Sequence, residues 1–161
     1  MGLSPELIEG YRTESEAMLI NFSCWFACQK NPPVVRSSEL KVFSERLGLM
    51  GIIDAVMIND NGVFLIDYKT SKDYSITDDI FRQAVLYCLL FQDRNDEIPL
   101  AVYIHFLKDP GDPMAVFIDD DQLEYGRVLI DFIRDKTGTT DERNYPCTCG
   151  GYCERDFTVK R

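Results

Sequence analysis

Two β-rich runs, Gly51 to Ile58 and Val63 to Thr70, flank the turn-forming residues Asn59-Asp60-Asn61-Gly62, and this stretch constrains the chain more than any other. The Asn-Gly step favours a tight antiparallel hairpin. If the loop has an even number of residues, opposed strand positions carry numbers with an odd sum and point to the same face. Two registers satisfy that condition. With Asn61-Gly62 as the loop, Asp54 opposes Lys69 and lies diagonal to Asp67; with Asn59 to Gly62 as the loop, Asp54 opposes Asp67 directly. In either register Asp54, Asp67 and Lys69 project from one face, because alternate strand residues share a side.

Carboxylates that converge in this way repel one another unless a cation lies between them, and hard oxygen donors favour Mg2+ or Mn2+. A lysine beside them is no ligand. It is suited to orienting or deprotonating a water, or to offsetting charge that grows on a phosphate in a transition state. The ordinary alternative is a cross-strand ion pair on a solvated sheet face. Against it, Ile52, Val56, Phe64, Leu65 and Ile66 populate both faces of the hairpin, which predicts a sheet covered on both sides, where charges need a reason.

The remaining pattern supplies the cover. Leu7, Tyr11, Met18, Phe22 and Trp25 recur at helical spacing between Ser4 and about Lys30, with Glu14 on the same stripe and Glu9 and Glu16 on the polar side. After Asn31-Pro32-Pro33 the texture becomes extended from Glu39 to Leu47. Thr77 to Asp93 predicts a buried helix with an acidic first turn, Leu100 to Leu107 and Met114 to Ile118 predict strands, and Asp119-Asp120-Asp121 starts a last helix ending near Lys136. This order suits a three-layer α/β core of mixed sheet and flanking helices. With 161 residues, 45% of them apolar, one domain is expected over residues 1–136, followed by a connector and Cys-rich tail over 137–161. No apolar run nears a membrane span and the N-terminus lacks secretory features, so a soluble, cytoplasmic protein is expected. The net charge of -10 argues against nucleic-acid binding through bulk positive charge, and leaves a local site or a bound cation as the route to phosphate.

Gly51-Ile52-Ile53-Asp54, then Asp67-Tyr68-Lys69, resembles the G-x-x-D and (D/E)-x-K signature of RecB-like PD-(D/E)XK nucleases. Gln83-Ala84-Val85-Leu86-Tyr87 matches that family's Q-x-x-x-Y motif, its two polar residues one helical turn apart. The resemblance runs from about Glu39 to Asp93. It implies the restriction-endonuclease-like fold and metal-dependent cleavage of DNA. It further implies Asp54, Asp67 and the Tyr68 carbonyl as metal ligands, Lys69 as catalytic lysine, and Gln83 and Tyr87 as residues that position DNA or the lysine. Glu14, in Gly10-Tyr11-Arg12-Thr13-Glu14, stands where RecB-type members carry a histidine ligand, and is thereby a fourth metal-ligand candidate.

The CRISPR-associated RecB-type exonucleases hold a 4Fe-4S cluster with one N-terminal and three C-terminal cysteines. The chain is similar to that plan in Cys147, Cys149 and Cys153 together with Cys24 or Cys28, which would pack the tail on the first helix. Tetrahedral zinc is the alternative, because the tail spacing is tighter than in those relatives and Cys24 and Cys28 follow Glu14. Cys88 and His105 are expected as core residues. Two functions follow from the resemblance: a deoxyribonuclease, acting on ends or single strands in repair, recombination, CRISPR adaptation or viral genome processing, or a catalytically silent subunit that docks onto a larger DNA-processing complex. Ring-forming relatives imply self-association. The intact Asp54, Asp67 and Lys69 set favours the enzyme.

Overall fold

Ser4 starts the first helix by accepting a hydrogen bond from the Leu7 amide, with Pro5 in the first turn, where its missing N–H costs nothing. In the computed structural model, which describes residues 3–138, this helix is α1 (Pro5–Cys28). It is followed by β1 (Val34–Ser44), β2 (Leu49–Asn59), β3 (Gly62–Lys69), α2 (Asp78–Asn95), β4 (Val102–Phe106), β5 (Met114–Val116) and α3 (Asp120–Thr137). The strands form one mixed sheet in the order β1-β2-β3-β4-β5, antiparallel except for the parallel pair β3 and β4, which α2 connects. The Cys-rich tail lies outside the described residues.

The hairpin takes the second of the two expected registers. Asn59 pairs with Gly62 and Ala55 with Ile66, so one more step sets Asp54 opposite Asp67. The turn is tighter than a four-residue loop. The Asn59 side chain accepts from the Asn61 amide, and Gly62 adopts a φ of +136°, which a side chain would resist. β1 begins five residues earlier than the sequence pattern suggests, because Val34 and Val35 add to the ladder opposite Ile58 and Met57 before the register shifts at Ser37.

Two apolar clusters mark the two faces. On one, α2 and α3 pack Val85, Leu89, Leu123 and Ile130 against Val42, Ile53, Val56, Leu65 and Ile104 of the sheet. On the other, Trp25 and Phe26 of α1 cover Ala55, Met57, Phe64 and Ile66. The second face is covered only in part: Phe43, Met50 and Ile52 remain exposed, against the expectation of two closed faces. α1 also differs from its expected stripe, since Leu7 and Tyr11 are 44% and 53% exposed. The helix is exposed at every residue from Pro5 through Thr13. Among the described residues no helix is long and apolar enough to cross a membrane.

Candidate active site

The ladder between β2 and β3 ends at Ala55 and Ile66, and the Tyr68 amide turns to the Asp54 side chain, donating to Oδ2 at 2.9 Å. The two strands thus part where the carboxylates face one another. Asp67 and Lys69, two residues apart on β3, point with Val63 and Leu65 toward α2. There the Lys69 ammonium donates to Gln83 Oε1 at 2.7 Å, and Gln83 Nε2 donates to the Tyr87 hydroxyl at 2.8 Å. Gln83 and Tyr87 reach along one side of α2 because they are four apart in a helix. Close approach of α2 to β2 requires Gly51, where a Cβ would meet Leu90 at 2.8 Å and Tyr87 at 3.5 Å. The glycine of the G-x-x-D motif thus has a packing role that its position in the sequence alone does not disclose.

Asp67 is 3% exposed. Burial pushes its carboxyl above the usual carboxylate range; the Lys69 ammonium opposes this and the Asp54 charge adds to it. Lys69 Nζ lies 2.7 Å from Asp67 Oδ2 without hydrogen-bond alignment, so this buried oxygen has a compensating charge but no aligned donor among the described residues. Tyr87 is likewise raised, first by burial, against the Gln83 hydrogen bond, and further by the charges of Asp67 and Asp54. Burial, then the Asp54 charge, raises Tyr68 as well.

The donors on offer to a cation are therefore Asp67, the free oxygen of Asp54 and adjacent backbone carbonyl oxygen. This hard-oxygen set fits Mg2+ or Mn2+, and such an ion would satisfy the buried Asp67 oxygen, which has no aligned donor among the described residues. Glu14 is not gathered with them. Its carboxylate pairs with Lys108 at 2.7 Å, which holds it below the ordinary glutamate range. Among the described residues no three His, Cys, Asp or Glu side chains converge on one point. Lys108 was not singled out in the sequence; its place just beyond β4, at the same end of the sheet as Lys69, was the available signal.

Cys24 and Cys28 carry exposed free thiols on α1, while Cys147, Cys149 and Cys153 lie outside the described residues. Cys88 is buried, which pushes its thiol up to about 12 and makes it the unreactive core residue expected. His105 is also in the core, 1% exposed, with its ring 4.9 Å from that of Trp25 and in contact with Phe22 and Tyr68. Burial lowers its pKa, against the pull of Asp109 and Asp112.

A mixed sheet between helices, with a carboxylate–lysine hairpin backed by a glutamine–tyrosine pair, defines an α/β core of the nuclease type. The family is shown directly: residues 4–155 match the PD-(D/E)XK nuclease superfamily, and the chain belongs to it. Among solved structures, the chain is similar to a candidate exonuclease from Eubacterium rectale at 16% identity and a TM-score of 0.45, over 78% of this chain. The match spans about half of that protein, 54% of its length. No curated protein matches the chain.

Proposed function

We propose that the chain is a divalent-metal-dependent deoxyribonuclease that hydrolyses phosphodiester bonds at Asp54, Asp67 and Lys69. The observation that carries this is the buried Asp67 carboxylate, placed beside a second carboxylate and paired with a lysine that Gln83 holds in place. Asp54, Asp67 and the Tyr68 carbonyl would hold the ion, whose chemistry is to polarise the phosphate and acidify a bound water. The protein's own part is orientation and charge. Lys69 offsets the negative charge that builds on the phosphate as water attacks and the P–O bond breaks, and its bond to Gln83 fixes the ammonium before substrate arrives. Tyr87 fixes Gln83 in turn. Glu14 stays outside the ligand set while Lys108 holds it.

The test is cleavage of linear DNA by the purified full chain with Mg2+, Mn2+ or chelator. Asp54→Asn, Asp67→Asn and Lys69→Ala should each lower the rate by at least about 100-fold without loss of fold. Full activity in Asp67→Asn would overturn the proposal, and a parent that binds DNA without cutting it would favour a silent docking subunit.

We propose second that Cys24 or Cys28 joins Cys147, Cys149 and Cys153 around a soft metal centre, supported by the two exposed thiols one turn apart on α1. Elemental analysis of protein purified without oxygen should find about four irons per chain and a brown chromophore, and about one zinc if the site is tetrahedral zinc instead. Metal-free protein whose cysteine-to-serine variants melt like the parent would dismiss the site.

A further inference from the structure

An open groove of about 600 Å3 runs between α2, α3 and the start of β2. Its walls are mainly apolar and aromatic, chiefly Leu86, Tyr87, Tyr125, Leu129 and Phe132. Gln83 and Tyr87, which hold Lys69 in place, also line it, so the groove opens directly beside the carboxylate hairpin. We propose that this groove is a base-binding subsite, which takes the unstacked nucleobases of a single DNA strand whose phosphate lies at Asp67 and Lys69. The inference rests on the nuclease reading and adds the substrate class.

The lining selects the occupant. The side-chain nitrogen donors of the lining, Arg82 and Gln83, are already engaged with Asp79 and Tyr125 and with Tyr87. A phosphate would therefore lose more hydration than it regains in hydrogen bonds, whereas a base gains stacking and apolar contact. Tyr125 and Phe132 are 42% and 58% exposed, so each ring keeps a face available at the lip. Tyr125 is also held in place: the Arg82 side chain donates to its hydroxyl at 3.2 Å while pairing with Asp79 at 3.0 Å. Because carboxylates balance it, Arg82 is suited to fixing that ring rather than gripping the backbone. Walls that are mainly apolar and aromatic, with their polar side chains engaged with one another, read a π face more than a pattern of donors and acceptors, which predicts tolerance of base identity. In a duplex both faces of each base are covered by neighbours, so a fully paired strand offers the groove nothing to stack on.

The experiment compares the full chain with Tyr125→Ala, Phe132→Ala and Val128→Ala, the last an exposed helical neighbour of both that does not line the groove. Substrates are a single-stranded oligothymidine, the same strand with abasic sites near its end, and a blunt duplex, with melting curves to confirm folding. The expected result is a roughly 5- to 100-fold fall in kcat/KM on the intact single strand for the two groove variants, carried mainly by KM, and none for Val128→Ala. On the abasic strand the groove substitutions should cost nothing further. A groove variant that cleaves the intact strand like the parent, or loses the same factor on all three substrates, overturns the subsite while leaving the nuclease standing. If the parent cuts no DNA, the comparison moves to binding of labelled oligothymidine: loss in the groove variants then supports the subsite alone, and unchanged binding overturns it, as it would if the groove serves a protein segment.

Discussion

Asp67 bears a charge that its burial disfavours. Its raised pKa means that the folded chain binds this proton more readily than the unfolded chain does, so the stability it contributes is present at low pH and is lost as pH rises through the titration. Asp67→Asn should therefore melt higher than the parent in chelator, by about 2–4 °C for each kcal/mol recovered, while cleavage disappears. Added Mg2+ should raise the parent's melting temperature and leave the variant's unmoved. A variant that melts lower in chelator would mean that Lys69 already compensates the charge, and the argument for a cation would weaken. The residues of this centre were legible in the sequence because short-range geometry fixes them: strand alternation groups Asp67 with Lys69, and one helical turn groups Gln83 with Tyr87. The partner of Glu14 was not legible. It depends on where α1 crosses the sheet, a tertiary quantity that periodicity in α1 does not contain.

At the level of elements, α2 and α3 meet at a glycine. A Cβ on Gly126 would lie 2.6 Å from Val85 and 2.7 Å from Leu89, side chains that are themselves fully buried. Alanine would gain about 1 kcal/mol in helix propensity, yet the required shift of a packed core costs about 1–3 kcal/mol or more. Gly126→Ala should thus lower stability in chemical denaturation, whereas Gly10→Ala on the exposed part of α1, which meets no atom within 4 Å, should raise it or leave it unchanged. A stabilised Gly126→Ala would show that the two helices separate without cost. Helix and strand identities followed from periodicity and capping residues such as Asp119, whose side chain accepts from the Gln122 amide. How far each helix lies on the sheet did not follow, and the apolar stripe of α1 outruns its support at Leu7 and Tyr11.

For the molecule as a whole, the difficulty is charge: 17 basic against 27 acidic residues leave a net -10. Such a chain cannot gather DNA by a broad positive field, so under the proposed nuclease reading its affinity would come from the metal centre and from uncharged contacts. Among the described residues, Lys69, Lys72 and Lys108 are cations at or just past the ends of the parallel strands β3 and β4. The last is already paired with Glu14, on which Lys72 also acts, while Arg82 is balanced by Asp78 and Asp79. Each phosphate neutralised on a single strand contributes about -0.7 to the slope of log affinity against log salt, so three cations predict a slope of about -2. The measurement is binding of a labelled single strand to Asp67→Asn full chain at fixed Mg2+, over a series of KCl concentrations. A slope near -2 fits an acidic nuclease that holds its substrate through a small centre and stacked bases. A slope of about -5 or steeper would require several more phosphate contacts than these lysines make, and would move the principal DNA-binding surface away from the carboxylate hairpin.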